Sequence, residues 1–149
     1  MPLLMIPGPI EVSPAVVDAA SGPPPGHLAP SLIESFGASL ELMRRVWLAP
    51  SDAQPFIVAG SGTLAMEMAA TNLLDPGESV LVVSSGYFSD RMAEMLRRRG
   101  AKVTVLRAEP GDAPSLDAVE EALSSGGYRA LFATHVDTST GVRVDARAL

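Results

Sequence analysis

SVLVVSSGYFSDRMAEMLRRRGAKVTVL, residues 79–106, is the stretch that decides the fold. It opens on an apolar run, Ser79 to Val83, with no polar residue at alternate positions. A helix-forming stretch, Phe88 to Arg99, follows and is stopped by Gly100. A second strand, Lys102 to Leu106, closes it. Strands without a polar face, separated by a helix, are the signature of βαβ units whose sheet is covered on both sides.

The same alternation extends in both directions. Upstream, Phe56-Ile57-Val58-Ala59 reads as a short buried strand, and Thr63 to Leu73 as a helix ended by Asp75-Pro76-Gly77. Downstream, Ser115 caps a helix that runs to about Leu123 and stops at Gly126-Gly127. Ala130 to Ala133 reads as another strand, and His135 to Gly141 as a polar loop. The expected architecture is a three-layer α/β/α arrangement around a mainly parallel sheet. Residues 1–50 differ. Ser13-Pro14 opens a short helix to about Ala20. Gly22-Pro23-Pro24-Pro25-Gly26 then forbids regular structure. A second helix is expected from Pro30 to about Leu48, with Ile33, Phe36, Leu40, Met43 and Trp47 on one face. The expected division is an N-terminal arm with helices, 1–50, and the first part of an α/β domain, 51–149.

Composition removes several functions. The chain has 149 residues, with 11 Lys plus Arg against 17 Asp plus Glu, a formal charge of −6. That disfavours a nucleic-acid partner, which requires a concentrated positive stripe. The absence of cysteine removes thiolate nucleophiles and cysteine-ligated metals. His27 and His135 lack carboxylates at ligand spacing, so no metal site is expected. No apolar run reaches the roughly 20 residues that span a bilayer. The opening residues, Met1 to Pro7, carry no basic stretch of a signal peptide, which makes the cytoplasm the expected compartment. Lys102 is the sole lysine.

In an open α/β sheet, ligands sit beyond the carboxyl ends of the strands. Three strand ends carry unusual residues. Ala59-Gly60-Ser61-Gly62-Thr63 joins a strand to a helix: two glycines allow close backbone approach, the helix amides attract an anion, and two hydroxyls add donors. Gly60-x-Gly62-x-x-Ala65 also fits the loose dinucleotide fingerprint. The acidic residue that should follow at the next strand end is missing, because that strand ends Val83-Ser84-Ser85-Gly86. One phosphate therefore fits better than two, although a plain tight turn using glycine explains the residues equally well. Tyr87 and Phe88 place two rings after a glycine, where one could stack on a planar ligand or simply staple the next helix. Thr134-His135-Val136-Asp137-Thr138-Ser139-Thr140-Gly141 is too polar for a simple turn. It reads either as ligand-binding or as a side-chain network that satisfies its own backbone. A serine hydrolase is disfavoured, because the Gly-x-Ser-x-Gly elbow is absent.

Taken together and in order, Pro7-Gly8-Pro9, Gly60-Ser61-Gly62-Thr63 with Glu67, Gly86-Tyr87-Phe88 with Arg91, and His135-x-Asp137-Thr138-Ser139-Thr140-Gly141 resemble the class V aminotransferases. These are pyridoxal 5'-phosphate enzymes of fold type I. The resemblance is to the alanine–glyoxylate, serine–pyruvate and serine–glyoxylate group, and 2-aminoethylphosphonate–pyruvate aminotransferases share several of the motifs. It implies that the chain is the N-terminal part of the large domain. It implies that Ser61, Gly62 and Thr63 bind the cofactor phosphate, that Phe88 stacks on the pyridine ring with Tyr87 as the near alternative, and that Thr138 reaches the phenolic oxygen. Pro7, Gly8 and Pro9 match the arm at the substrate entrance. Gly26-His27 resembles a family segment in which arginine stands where this chain has Leu28.

The substrates implied are alanine or serine as amino donor and glyoxylate or pyruvate as acceptor, in an enzyme that is a homodimer when intact. No residue here is assigned a catalytic role. The Schiff-base lysine, the aspartate at the pyridine nitrogen and the substrate-binding arginine of the family all fall beyond Gly141. Lys102 begins a strand, at the edge opposite the three loops, so the chain by itself is expected to be catalytically silent. Its uncovered sheet edge and helix faces lead us to expect instability or self-association without a partner. A nucleotide-binding module and a non-catalytic regulatory domain are the competing readings.

Overall fold

A computed structural model describes residues 4–149; Met1 to Leu3, the start of the expected arm, lie outside the described residues. The chain forms two compact units, residues 1–59 and 60–149.

The first unit carries helices α1 (Pro14–Ala20) and α2 (Pro30–Val46), each with proline in its first turn. Neither helix buries a residue. Ile33, Phe36 and Trp47, expected on the apolar face of α2, are exposed. The helix ends at Val46 rather than Leu48, because the chain turns back at Leu48 (φ 51°) and the amide of Ala49 bonds to the Arg44 carbonyl at 3.0 Å. The strand expected at Phe56-Ile57-Val58-Ala59 does not form. These residues make no ladder among the described residues, and Phe56, Ile57 and Val58 are exposed. An apolar run becomes a strand only where a neighbouring backbone completes its hydrogen bonds.

The second unit is α/β. Its elements run α3 (Gly62–Leu73), β1 (Ser79–Ser84), α4 (Tyr87–Arg98), β2 (Lys102–Arg107), α5 (Leu116–Ser125) and β3 (Ala130–Ala133). A two-residue antiparallel ladder, β4 (Val136–Asp137) with β5 (Val142–Arg143), occupies part of the segment expected to be a loop. The three longer strands form a parallel sheet in the order β2-β1-β3, with Ser79 opposite Lys102 and Val80 opposite Ala130.

Beta1 is the buried strand, and its side chains alternate between two cores. Val80 and Val82 pack with Ala70 of α3 and with Met92, Ala93 and Leu96 of α4. Leu81 and Val83 pack on the other face with Val119 of α5. Helices thus cover both faces, giving the three layers that the apolar strands imply. Complete burial of Leu81 contributes about 1.5–3 kcal/mol relative to exposure. The turn Asp75-Pro76-Gly77 starts β1 through Gly77 (φ 92°), whose amide bonds the Gly100 carbonyl at 2.8 Å. Ser61 and Ser115 cap α3 and α5, accepting from the amides of Leu64 and Ala118. Among the described residues no helix is long and apolar enough to cross a membrane.

Candidate functional site

A cavity of about 420 Å³ opens beyond the carboxyl ends of β1 and β3. This volume lies within the roughly 300–1,000 Å³ of small-molecule sites. Its walls are apolar, formed by Met66, Val82, Phe88, Met92 and Phe132; its polar lining comes from Gly62, Thr63, Ser89 and Thr134. The glycine-rich turn, the aromatic strand end and the end of β3 therefore meet at one place.

The two helix N-termini at this cavity differ. An α-helix leaves its first amides without partners. At α3, the Ser61 hydroxyl accepts from Leu64 and the Ser61 carbonyl from Ala65. The amides of Gly62 and Thr63 have no acceptor among the described residues, and both residues line the cavity. A Cβ added at Gly62 would meet open space, whereas one at Gly60 would collide with Leu64. At α4 the amides are all taken. Gly86 donates to the Ser89 hydroxyl at 3.1 Å and Tyr87 to the Ser139 hydroxyl at 2.9 Å. Phe88 and Ser89 donate to Asp137 Oδ2 at 3.0 and 3.2 Å.

Asp137 is wholly buried and sits at the hub of this network. Its Oδ2 also receives the Ser89 hydroxyl at 3.0 Å, and its Oδ1 the Ser139 hydroxyl at 2.6 Å. Burial pushes its carboxyl up, but hydrogen bonds from Ser139 and Ser89 outweigh this and hold it below the usual aspartate value. Next to it, Asp90 is also held low, chiefly by Arg107, whose guanidinium grips it at 2.6 and 2.8 Å; the Ser84 hydroxyl adds a bond at 2.7 Å. Thr140 closes the rim by donating to the Ser85 carbonyl at 2.7 Å.

Of the residues singled out in the sequence, Gly62, Thr63 and Phe88 line the cavity. Ser61 stands beside it with its hydroxyl committed to the α3 cap. Tyr87 is exposed, packs edge-to-face on Phe88 at 5.3 Å, and lines a second, polar groove with Thr63, Glu67 and Arg91. Thr138 is exposed and does not line the cavity; its hydroxyl makes no hydrogen bond among the described residues. Pro7, Gly8 and Pro9 belong to the first unit and are exposed. Lys102 starts β2 opposite Ser79, at the amino edge of the sheet; the strand's rise of about 3.3 Å per residue puts it roughly 16 Å from the edge that bears the cavity. The residues not anticipated are the side-chain partners of α4. The acid among hydroxyls at 137–140 signals a capping network, but nothing local names a helix start 48 or more residues away as its target.

The sequence pattern of the family described as aminotransferase class-V matches residues 29–149. Alanine–glyoxylate aminotransferase 1 of Saccharomyces cerevisiae is 44% identical over 98% of this chain, which spans 40% of that protein. The L-aspartate–glyoxylate aminotransferase of Paracoccus denitrificans is 34% identical over 98% of the chain, which spans 37% of its length. Among solved structures, an alanine–glyoxylate aminotransferase from Nostoc superposes with a TM-score of 0.87 at 35% identity, covering 95% of this chain and 37% of that one. An aspartate aminotransferase from Thermus thermophilus superposes at 0.88 and 35% identity, over 99% and 40%. The chain thus spans about two-fifths of the relatives it matches, and it belongs to the class-V aminotransferases.

Proposed function

We propose that the second unit holds pyridoxal 5'-phosphate, as part of an aminotransferase that moves an amino group from alanine or serine to glyoxylate or pyruvate. The observation that carries this reading is that Gly62 and Thr63, whose amides have no acceptor among the described residues, line the same cavity as Phe88. The names of the alanine–glyoxylate relatives support the alanine and glyoxylate pair; serine and pyruvate rest on motif resemblance.

The residues fit the group. The amides of Gly62 and Thr63, the Thr63 hydroxyl and the α3 dipole would hold the phosphate. Phe88 would stack on the pyridine ring, with Met66, Val82, Met92 and Phe132 excluding water around it. Motif resemblance assigns Thr138, which stands outside the cavity wall, to the phenolic oxygen, and Pro7, Gly8 and Pro9 to the substrate entrance of a homodimer. When bound, the cofactor supplies an electron sink for the substrate's α-carbon. No side chain lining the cavity is a lysine or a carboxylate. Lys102, at the far edge, is out of reach of the cavity. The chain by itself therefore binds the cofactor without covalent attachment and without turnover.

The test is equilibrium dialysis of the chain with pyridoxal 5'-phosphate, pyridoxal, inorganic phosphate and NADH. Pyridoxal 5'-phosphate binds best, phosphate competes with it, and Thr63→Val weakens both by about ten-fold, the loss of one hydrogen bond to a charged group. Equal affinity for pyridoxal and its phosphate, or tighter binding of NADH, refutes the reading.

A further inference from the structure

The cavity is flanked by two helix N-termini, and each is a suitable seat for an anion. Only one is open. The other, at α4, already holds an anion that belongs to the protein, the Asp137 carboxylate. We propose that Asp137 is a positioning residue: it occupies the α4 N-terminus as a permanent internal anion, so that the ligand's phosphate is directed to α3 and the Phe88 ring is fixed for stacking. This inference rests on the reading of the cavity given under Proposed function.

Four features carry it. Asp137 is 0% exposed, so its charge is not a surface accident. Its Oδ2 receives the backbone amide of Phe88 itself, at 3.0 Å, and that of Ser89, at 3.2 Å. These bonds fix the start of the helix and hence the direction in which the Phe88 side chain leaves the backbone. Its Oδ1 receives the Ser139 hydroxyl, and Ser139 in turn accepts from the Tyr87 amide, so three consecutive residues of α4, Tyr87 through Ser139 and Phe88 and Ser89 directly, hang on one carboxylate. Finally, Gly86 leaves no room for an alternative. A Cβ there would stand 2.6 Å from the Asp137 carboxyl carbon, so the helix start and the carboxylate are fitted to each other.

A carboxylate that served only stability would affect every ligand alike. A positioning carboxylate affects the ring and leaves the phosphate seat on α3 intact. The experiment compares the chain with Asp137→Asn, Phe88→Ala and the double variant. It measures dissociation constants for pyridoxal 5'-phosphate and for inorganic phosphate, and the circular dichroism induced in the bound cofactor's absorption band. Asp137→Asn is expected to weaken pyridoxal 5'-phosphate about ten-fold and to abolish the induced band. Phosphate affinity stays within about two-fold, and the double variant binds no more weakly than Phe88→Ala, because both substitutions remove the same stacking contact. Unchanged cofactor affinity, an equal loss for phosphate, or additive losses in the double variant overturns the proposal.

Should Asp137→Asn fail to fold, Ser139→Ala replaces it, since that side chain is exposed and its loss frees the Tyr87 amide and one bond to Asp137. A smaller loss confined to pyridoxal 5'-phosphate supports the proposal; an equal loss for phosphate, or none for either, overturns it. If the unsubstituted chain binds neither ligand, the reading of the cavity fails and takes this inference with it. If it binds both and the variants match it, the inference alone falls.

Discussion

Replacing Gly86 with alanine would set a methyl carbon 2.6 Å from Asp137 Cγ, 2.6 Å from Ser139 Oγ and 2.8 Å from Asp137 Oδ1. Each approach is far inside van der Waals contact, near 3.5–4 Å for carbon. The backbone contributes nothing to the cost, because a φ of 166° at Gly86 is extended and open to any residue. The whole penalty comes from moving a buried carboxylate. Pushing Asp137 away stretches its bonds to the amides of Phe88 and Ser89. Bonds to a charged group contribute about 1.5–3 kcal/mol each, and partial retention of the pair leaves a loss of about 2–4 kcal/mol. With a urea slope of about 2 kcal/mol per molar, the unfolding midpoint falls by about 1–2 M. The assay is far-ultraviolet circular dichroism of the whole chain, to which α3, α4 and α5 of the second unit contribute. The sole tryptophan, Trp47, lies in the first unit. Gly62→Ala is the control: its added Cβ meets open space at a helical position, so its stability stays within about 0.5 kcal/mol. A Gly86→Ala chain as stable as the control would refute the claim that Asp137 and the α4 start are fitted to each other.

Three other outcomes are expected. The carboxyls of Asp137 and Asp90 are held below their ordinary value in the folded chain, so the unfolded chain binds more protons in acid. Their stabilisation is complete above the unfolded aspartate value of about 3.9 and is lost as pH falls through the lower folded values; Asp137→Asn flattens a plot of urea midpoint against pH in that acid range. Leu81→Ala, at a fully buried position of the central strand, costs about 2–5 kcal/mol in the same unfolding assay. Lys102→Ala leaves affinity for pyridoxal 5'-phosphate unchanged in dialysis. Borohydride treatment of the mixture, followed by mass spectrometry, gives no specific adduct at residue 102 in the unsubstituted chain.

The parts of the second unit that were legible in the sequence are those with local causes. Ser61 and Ser115 cap their helices within three residues, Gly77 and Gly100 supply the positive φ that ends one element and starts the next, and the run 80–83 has no polar face to offer solvent. The convergence of Gly62, Thr63 and Phe88 followed from the rule that ligands sit at the carboxyl edge of a parallel sheet. What was not legible has distant causes. Phe56 to Val58 have the composition of a strand, but no backbone pairs with them among the described residues. By sequence the acid of the 134–141 segment reads as part of a ligand loop or of a self-satisfied turn. It satisfies its own turn in part, through the bond from Ser139 N, but its main partners are amides of α4. Thr138, a member of the same motif, stands outside the cavity wall.

The order of strands in space has a kinetic meaning. Val80 meets Val103 after a short excursion through α4, so β1, α4 and β2 can assemble from neighbours in the chain. Val80 meets Ala130, and Phe88 meets Asp137, only after much longer loops have closed. Each doubling of loop length adds about 0.6 kcal/mol of closure entropy. The cavity rim therefore closes at a higher entropic cost than the β1–β2 pair, and amide hydrogen exchange should run faster at Phe88 and Ser89 than in the middle of β1. A ligand seated between α3 and Phe88 would tie that late-closing segment to the early one, so occupancy would be felt most at the residues that otherwise breathe.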